Sequence, residues 1–552
     1  MQRVTASFPD GTSRVVAHDT LLEELVQVFP ADPANPIVAA VVNNEVLDLS
    51  RRIRINASIE PVYLASDAGV RCYRQGLCFL LSMAVRKAFP GRRLVIGHSL
   101  GDSYYYYFDD DNPVGEDEIE VISAQMSKLV EADLHIDRRL ISYADAKKIF
   151  DEAGMSDTAA LIDHRNTARV TIHECGSFCD ISHGPLVPST GILRYFDLTA
   201  LSPGFVLRFP PHSAPTTMEE YRHSPLLFSV YQEYMQWGEI LGVTSAGRLD
   251  EKTRDGSIAE FIRVNEALHE KKIAAIADQI AQRRDSVRAV LIAGPSSSGK
   301  TTFAKRLLLQ LKAQGFLPQP LSVDDYFLDR EHTPRDEDGN YDFESVYALD
   351  VDLLNKHLLT LLDGGEIEPP SFDFRSGSRV GSGTTITLGT RGILVMEGIH
   401  CLNDELTPRI DAAAKFKIYV SALTQLNLDD HNRIPTTDNR LLRRLVRDNQ
   451  FRGHSALDTL GMWPSVRRGE GRNIFPYQDS ADVAFNSALD YEVGILKKHA
   501  EPLLQMVKPH HAEYGEAIRL MTFLGDFANI PDKFVPDFSI LREFIGDSGF
   551  HY

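Results

Sequence analysis

Short apolar runs alternate with polar residues over the first 64 positions, and the period of that alternation changes further along the chain. Phe8-Pro9-Asp10-Gly11-Thr12 reads as a hairpin turn between strands, because Asp-Gly tolerates the positive φ that such turns require. A helix is expected to start at a capping box, Thr20-Leu21-Leu22-Glu23, with a strand pair around Val42-Asn43-Asn44-Glu45-Val46 after it. The four tyrosines 104–107 read as a strand with two rings on each face. Phe209-Pro210-Pro211-His212-Ser213-Ala214-Pro215 marks a boundary. Beyond it the apolar period becomes helical. The last of these helices is expected to start at a second capping box, Ser257-Ile258-Ala259-Glu260, and carries Ile258, Phe261, Ile262, Ile273, Ile276 and Ile280. From about residue 286 apolar strands (287–293, 320–323, 393–396, 416–420) alternate with helices. That order predicts a parallel sheet covered on both faces, with ligands at the C-terminal ends of its strands.

Composition narrows this picture. A chain of 552 residues is too long for one core, so two to four domains are expected. With 43% hydrophobic and 24% charged residues, no apolar run long enough for a bilayer and no apolar signal core at the start, a cytoplasmic protein is expected. Five cysteines give no disulfide framework. The net charge of −19 repels nucleic acid at long range, so an RNA contact would need a local basic patch.

One segment carries chemistry outright. Gly294-Pro295-Ser296-Ser297-Ser298-Gly299-Lys300-Thr301 has the G-x-x-x-x-G-K-[ST] spacing and lies between a predicted strand and a helix bearing Phe303, Leu307, Leu308 and Leu311 and stopping at Gly315. Its backbone N–H groups, with Thr302 just inside the helix, suit a nucleotide's phosphates. Lys300 reaches the β/γ-phosphates and the Thr301 hydroxyl completes a Mg²⁺ shell. Two carboxylates follow strands: Asp324, placed to accept a proton from an attacking hydroxyl, and Glu397, placed to hold Mg²⁺ or its water. Either alone also fits a solvated loop acid. Arg440, Arg443, Arg444 and Arg447 fall mostly along one helix face, which fits either a group closing over a triphosphate or a solvated face paired with Asp438 and Asp448.

These segments, with 370–379, Arg440 to Asp448 and Ser480-Ala481-Asp482-Val483, resemble the uridine kinase and phosphoribulokinase family over most of residues 286–500. The resemblance implies ATP and Mg²⁺ as cofactors, Asp324 as general base and Lys300, Arg443 and Arg447 as catalytic cations, the arginine helix belonging to a lid. It implies Thr301 and Glu397 at the metal, and Glu344, Phe372 and Arg379 at the acceptor. Phe372 and Gly377 stand where uridine kinases have Tyr and His, which help read the base. Uridine itself is therefore not expected as the substrate.

The front half resembles the TGS domain and the second, editing-type domain of threonyl-tRNA synthetases. The likeness runs through the segment around His98 and the four tyrosines, and through Gly184-Pro185-Leu186-Val187-Pro188. The editing centre's four groups, two His and a Cys–His pair, align with Gln75, Phe79, Ser182 and Leu186, so the fold is expected without that chemistry. His173, Cys175, Cys179 and His183 form a zinc candidate beside buried thiols and loop histidines as the alternative. The expected fold class is an α/β kinase domain with a doubly wound parallel sheet (286–552), preceded by a β-grasp TGS-like domain (1–64), an α+β synthetase-like domain (65–205) and a helical connector (206–285). The expected function is ATP-dependent phosphorylation of a nucleoside or related ribosyl hydroxyl. A non-nucleoside sugar or alcohol kinase, or a nucleotide-gated protein contacting tRNA or the ribosome, are the alternatives. Homo-oligomerisation is left open, and no membrane contact is expected.

Overall fold

Gly11, Asn43 and Asn44 adopt positive φ, and the chain reverses at each predicted turn: Arg3–Ser7 pairs with Ser13–Ala17, and Ile37–Val42 with Glu45–Leu47. In the computed structural model, which describes residues 2–110, 112–335, 339, 341–373 and 376–551, these strands join Ala57–Tyr63 in a five-stranded mixed sheet. The helix Leu22–Val26 covers it through Leu22, Leu25 and Val26, a β-grasp arrangement.

Neither capping box forms. Thr20 lies in the short strand Thr20–Leu21 and donates its hydroxyl to the Ala17 carbonyl. Pairing with Arg52–Ile53 demands extended backbone there, so the helix starts at Leu22 without a side-chain cap. Ser257 precedes the helix Ile258–Gln282 but has helical φ and ψ of −80° and −3°, because a turn with Gly256 at φ +83° leads straight into it. The Ser257 carbonyl accepts from the Glu260 N–H, while its hydroxyl is buried without a partner.

The next part is α+β. Leu94–Ser99, Ser103–Phe108, Gly204–Arg208 and Asp197–Leu201 form an antiparallel sheet backed by the helices Asp67–Ala88 and Glu116–Glu131. A smaller sheet holds Asp137–Ser142, Arg169–Cys175 and Phe178–Asp180. The strand Gly204–Arg208 runs three residues beyond the expected limit at 205. The tyrosines alternate as predicted: Tyr105 and Tyr107 stack on one face, where Phe228 and Tyr231 of the helix Pro225–Leu241 cover Tyr105, and Tyr106 stacks on Phe205.

In the C-terminal part five strands lie parallel in the order Leu317–Ser322, Gly392–Glu397, Ala289–Ala293, Lys415–Ser421, Val483–Asn486. The central strand starts at Ala289, not 287, because the Val287 N–H closes the preceding turn on Arg283. Helices lie on both faces, so the C-terminal part is a doubly wound α/β unit behind two front modules. Charged side chains weld the front to this sheet. Arg93 donates to buried Asp430, which also accepts from the Thr158 N–H and hydroxyl, and His431 meets Asp180 at 2.6 Å. No helix among the described residues is long and apolar enough to cross a membrane.

Candidate functional site at the phosphate loop

The loop leaves the central strand at Gly294, where an added Cβ would lie 2.0 Å from the Val420 carbonyl oxygen, so no larger residue fits. Ser297 and Gly299 adopt φ of +58° and +81°, turning successive N–H groups to one side as an anion cradle needs. The helix Lys300–Ala313 follows, and the Lys300 ammonium folds back onto the Pro295 carbonyl at 3.2 Å. The hydroxyls of Ser297 and Ser298 are buried without a protein partner, groups that a bound phosphate would satisfy. The loop therefore fits a nucleotide.

The strand order brings the carboxylates to this point. Glu397 ends the strand beside the central one, in register with Ile292 and with Ser322 on the outer strand, just before Asp324. The Thr301 hydroxyl donates to Glu397 at 3.1 Å. Burial pushes Glu397 up to about 7, with the Asp324 charge adding to it. Burial also raises Asp324, against the pull of Lys300 and Arg452. Thr301, Glu397 and neighbouring Asp324 are hard oxygen donors of the kind Mg²⁺ prefers. Asp325 is engaged elsewhere: its carboxylate accepts from the Phe372 N–H at 3.1 Å.

The arginine row lies on the helix Thr436–Arg447 but does not form an open lid. Arg440 is fully buried, ion-paired with Glu470, and donates to the Ser296 carbonyl at 2.9 Å. Arg443 is fully buried too, held by Glu492 at 2.7 Å and Ser487, and reaches the Ser297 carbonyl. Both brace the back of the loop. Arg443 thus stands as a group that shapes the loop rather than one that closes over its contents, because Glu492 neutralises it on the far side. Arg444 donates to the Ser296 hydroxyl, and Arg447 pairs with Asp448 while its charge still reaches Asp324.

Of the residues expected at an acceptor, Phe372 is buried against Phe327, ring centroids 5.6 Å apart. Burial, with the neighbouring Glu470 charge, lifts Glu344 to about 7. Arg379 is occupied by Asp350 and by the carbonyls of Tyr326 and Phe327, so it clamps the loop after Asp325. Phe374 and Arg375 of this segment lie outside the described residues. Sequence reasoning missed Glu470, Glu492 and Glu543. Each is an acid on a helix with no local motif, and only the fold brings Glu470 and Glu543 to the loop and its helix, and Glu492 to Arg443 behind it.

In the front half the four aligned positions are consumed by packing. Gln75 lies against Gly184, and Phe79 meets Phe178 edge-on at 5.0 Å. The Ser182 hydroxyl donates to the Gly184 carbonyl, and Leu186 is buried with its N–H on Asp48. The zinc candidate is divided: His173 pairs with Asp48, and His183 with Asp429 and Asp526. No group of three or more His, Cys, Asp or Glu among the described residues could hold a metal ion.

Residues 289–493 match the model of the Phosphoribulokinase / Uridine kinase family. The front part is similar to threonine–tRNA ligases. The enzyme of Pelobacter propionicus is 27% identical over 202 residues, 37% of this chain and 32% of the ligase. That of Halorhodospira halophila is 30% identical over 197 residues, 36% of this chain and 31% of the ligase. The chain spans about a third of the length of the curated relatives it matches. Among solved structures, one described as a possible uridine kinase from Bacillus stearothermophilus overlaps 39% of this chain and 100% of its own, at 20% identity and a TM-score of 0.24.

Proposed function

We propose that this protein is a Mg²⁺- and ATP-dependent small-molecule kinase that phosphorylates a hydroxyl, with a nucleoside or related ribosyl compound as acceptor. The cytoplasm is the compartment this reading implies. The observation that supports it is the convergence of Lys300, Asp324 and Glu397 at adjacent strand ends beside a phosphate loop, with Thr301 hydrogen-bonded to Glu397 and Asp325 tied away. Bound ATP·Mg²⁺ would supply the transferable phosphoryl group and the countercharge for it. Lys300 steadies the charge on the transferring group, and Asp324, kept ionised by Lys300, Arg452 and Arg447 against its burial, takes the acceptor proton. Arg447 adds positive charge to the same point, and Arg443 acts through the loop it braces. Glu344 and Phe372 line the acceptor side, with Arg379 holding their loop.

A non-nucleoside sugar or alcohol is the second acceptor reading. It is favoured by the apolar wall at Phe372 and by Gly377, whose φ of +68° beside the Arg330 guanidinium leaves no side chain to read a base. The domain limits at 64, 205 and 285 belong to this proposal; the first module has an apolar core of its own from Val4 to Ile59, while Val38, Ala39, Val62 and Leu64 pack into the next module and Ile258, Phe261 and Ile262 into the core of the parallel sheet. The likeness to threonine–tRNA ligases supports a tRNA-facing front half, and Gln75, Phe79, Ser182 and Leu186 at the four aligned positions support one without hydrolytic chemistry.

The test is ADP release with ATP over panels of nucleosides, sugars and amino acids. One acceptor class should stimulate it, and Lys300→Ala should remove the stimulation from a folded protein. Stimulation by tRNA or ribosomes alone would instead make the protein a nucleotide-driven switch.

A further inference from the structure

The C-terminal strap reaches the phosphate loop with a carboxylate. The first-turn N–H groups of a helix lack intrahelical partners, and in a loop of this spacing they hold phosphate oxygens. Here the Thr302 N–H donates to Glu543 Oε2 at 3.1 Å, and the Thr302 hydroxyl donates to the same oxygen at 2.7 Å. One anionic oxygen thus takes both donors of that residue, as an α-phosphate oxygen would. Glu543 is presented rigidly: Leu541, Phe544 and Ile545 around it are buried, and Arg542 is held by the carbonyls of Asp532 and Val535. Ile540 presses on the loop so closely that a Cβ on Gly299 would lie 2.4 Å from its Cγ2. Lys305, one turn further along the same helix, donates to the His551 carbonyl.

The other end of the strap is fastened to the front half. Asp526 is almost wholly buried between the Arg165 guanidinium, at 2.5 Å, and His183 Nδ1, at 3.0 Å, both from the synthetase-like part. One run of 26 residues, 526–551, therefore joins the front module to the nucleotide-binding turn. Glu543 also adds negative charge at Glu397, where a nucleotide would bring more.

We propose that the strap is an intramolecular competitor for nucleotide. Glu543 occupies the Thr302 donors in place of an α-phosphate and must swing aside when a nucleotide binds, and the Arg165–Asp526–His183 contact seats the strap so that the front half sets the competition. This rests on the nucleotide reading of the loop.

The test is calorimetric binding of ATP and of adenosine to the full chain and to Glu543→Ala, Glu543→Gln and Arg165→Ala. Loss of a charge-assisted competitor should tighten ATP about tenfold in Glu543→Ala and several-fold in the isosteric Glu543→Gln. Adenosine, which has no phosphate, should be unaffected. Arg165→Ala should shift ATP in the same direction by less. Should Glu543→Ala fail to fold, Glu543→Gln decides. Measurable ATP binding in the wild type with unchanged or weaker affinity in the folded Glu543 variant overturns the competitor alone. Absence of ATP binding from wild type and variants alike overturns the nucleotide reading as well.

Discussion

At the phosphate loop ionisable groups face one another, with Glu397 and Asp324 raised by burial around Lys300 and Thr301. At the aligned positions of the front half the side chains face protein: Phe79 fills an aromatic contact, Leu186 is core, Ser182 closes its own turn and Gln75 sits on Gly184. Both regions keep a frame that resembles an enzyme's. They differ in where the polar atoms spend their hydrogen bonds. A group that bonds within its own turn or lies in an apolar contact has nothing left for a substrate, whereas buried carboxylates at a strand end are held costly and close until a ligand or metal meets them.

The largest effects should come from breaking the loaded side of this contrast. Lys300→Ala should bring acceptor-dependent ADP release to background, and Asp324→Asn should lower it by about two to four orders of magnitude with ATP binding little changed. Asp325→Asn should cost less, because Asp325 supports the Phe372 backbone. A larger loss in Asp325→Asn would move the base by one position.

Next comes the joint between the regions. His183 is buried between Asp429 and Asp526, with Arg165 and Asn432 beside them; burial lowers its pKa, but the two carboxylates outweigh burial and lift it to about 9. Its folded pKa is raised above the unfolded value of about 6.5, so its stabilisation is complete below that pH and is lost as pH rises towards about 9. The full difference is of the order of 3 kcal/mol. Urea denaturation at pH 6.5 and 9 should show a larger loss for wild type than for His183→Gln. Equal losses would mean that the ion pair does not stabilise the joint.

Refilling the front site should be costly and fruitless. Phe79→His places a polar ring in an apolar contact and should lower stability by about 2–3 kcal/mol, read from the denaturation midpoint. The wild-type chain should not deacylate mischarged threonine tRNA, and efficient hydrolysis in a filter assay would erase the contrast. The smallest effect concerns acceptor choice. Uridine and cytidine should not be preferred over every other acceptor, and Gly377→His with Phe372→Tyr should move preference towards them. Gly377 sits at φ +68° with Arg330 Nε 2.9 Å from an added Cβ, so that pair should also cost about 1 kcal/mol in melting.

The features legible along the chain are those that short-range physics governs. The phosphate loop, its strand and its helix are specified within about two dozen residues, because glycine spacing, apolar runs and helix entry are local properties. The turns at Asp10-Gly11 and Asn43-Asn44 were legible for the same reason, since few residues accept positive φ. The capping boxes at Thr20 and Ser257 were misread where neighbouring elements overruled local preference: a strand pair claimed Thr20, and a preceding turn put Ser257 in helical conformation. The partners of the charges were set by packing between distant segments. The arginine row reads as either a lid or a solvated face, yet Arg440 and Arg443 are buried because Glu470 and Glu492 meet them from 30 and 49 residues away. Glu543 reaches Thr302 across 241 positions. Such pairs carry no periodic or motif signal, since a carboxylate's partner is chosen by which surfaces the sheet and helices bring together, and burial then makes the pairing obligatory.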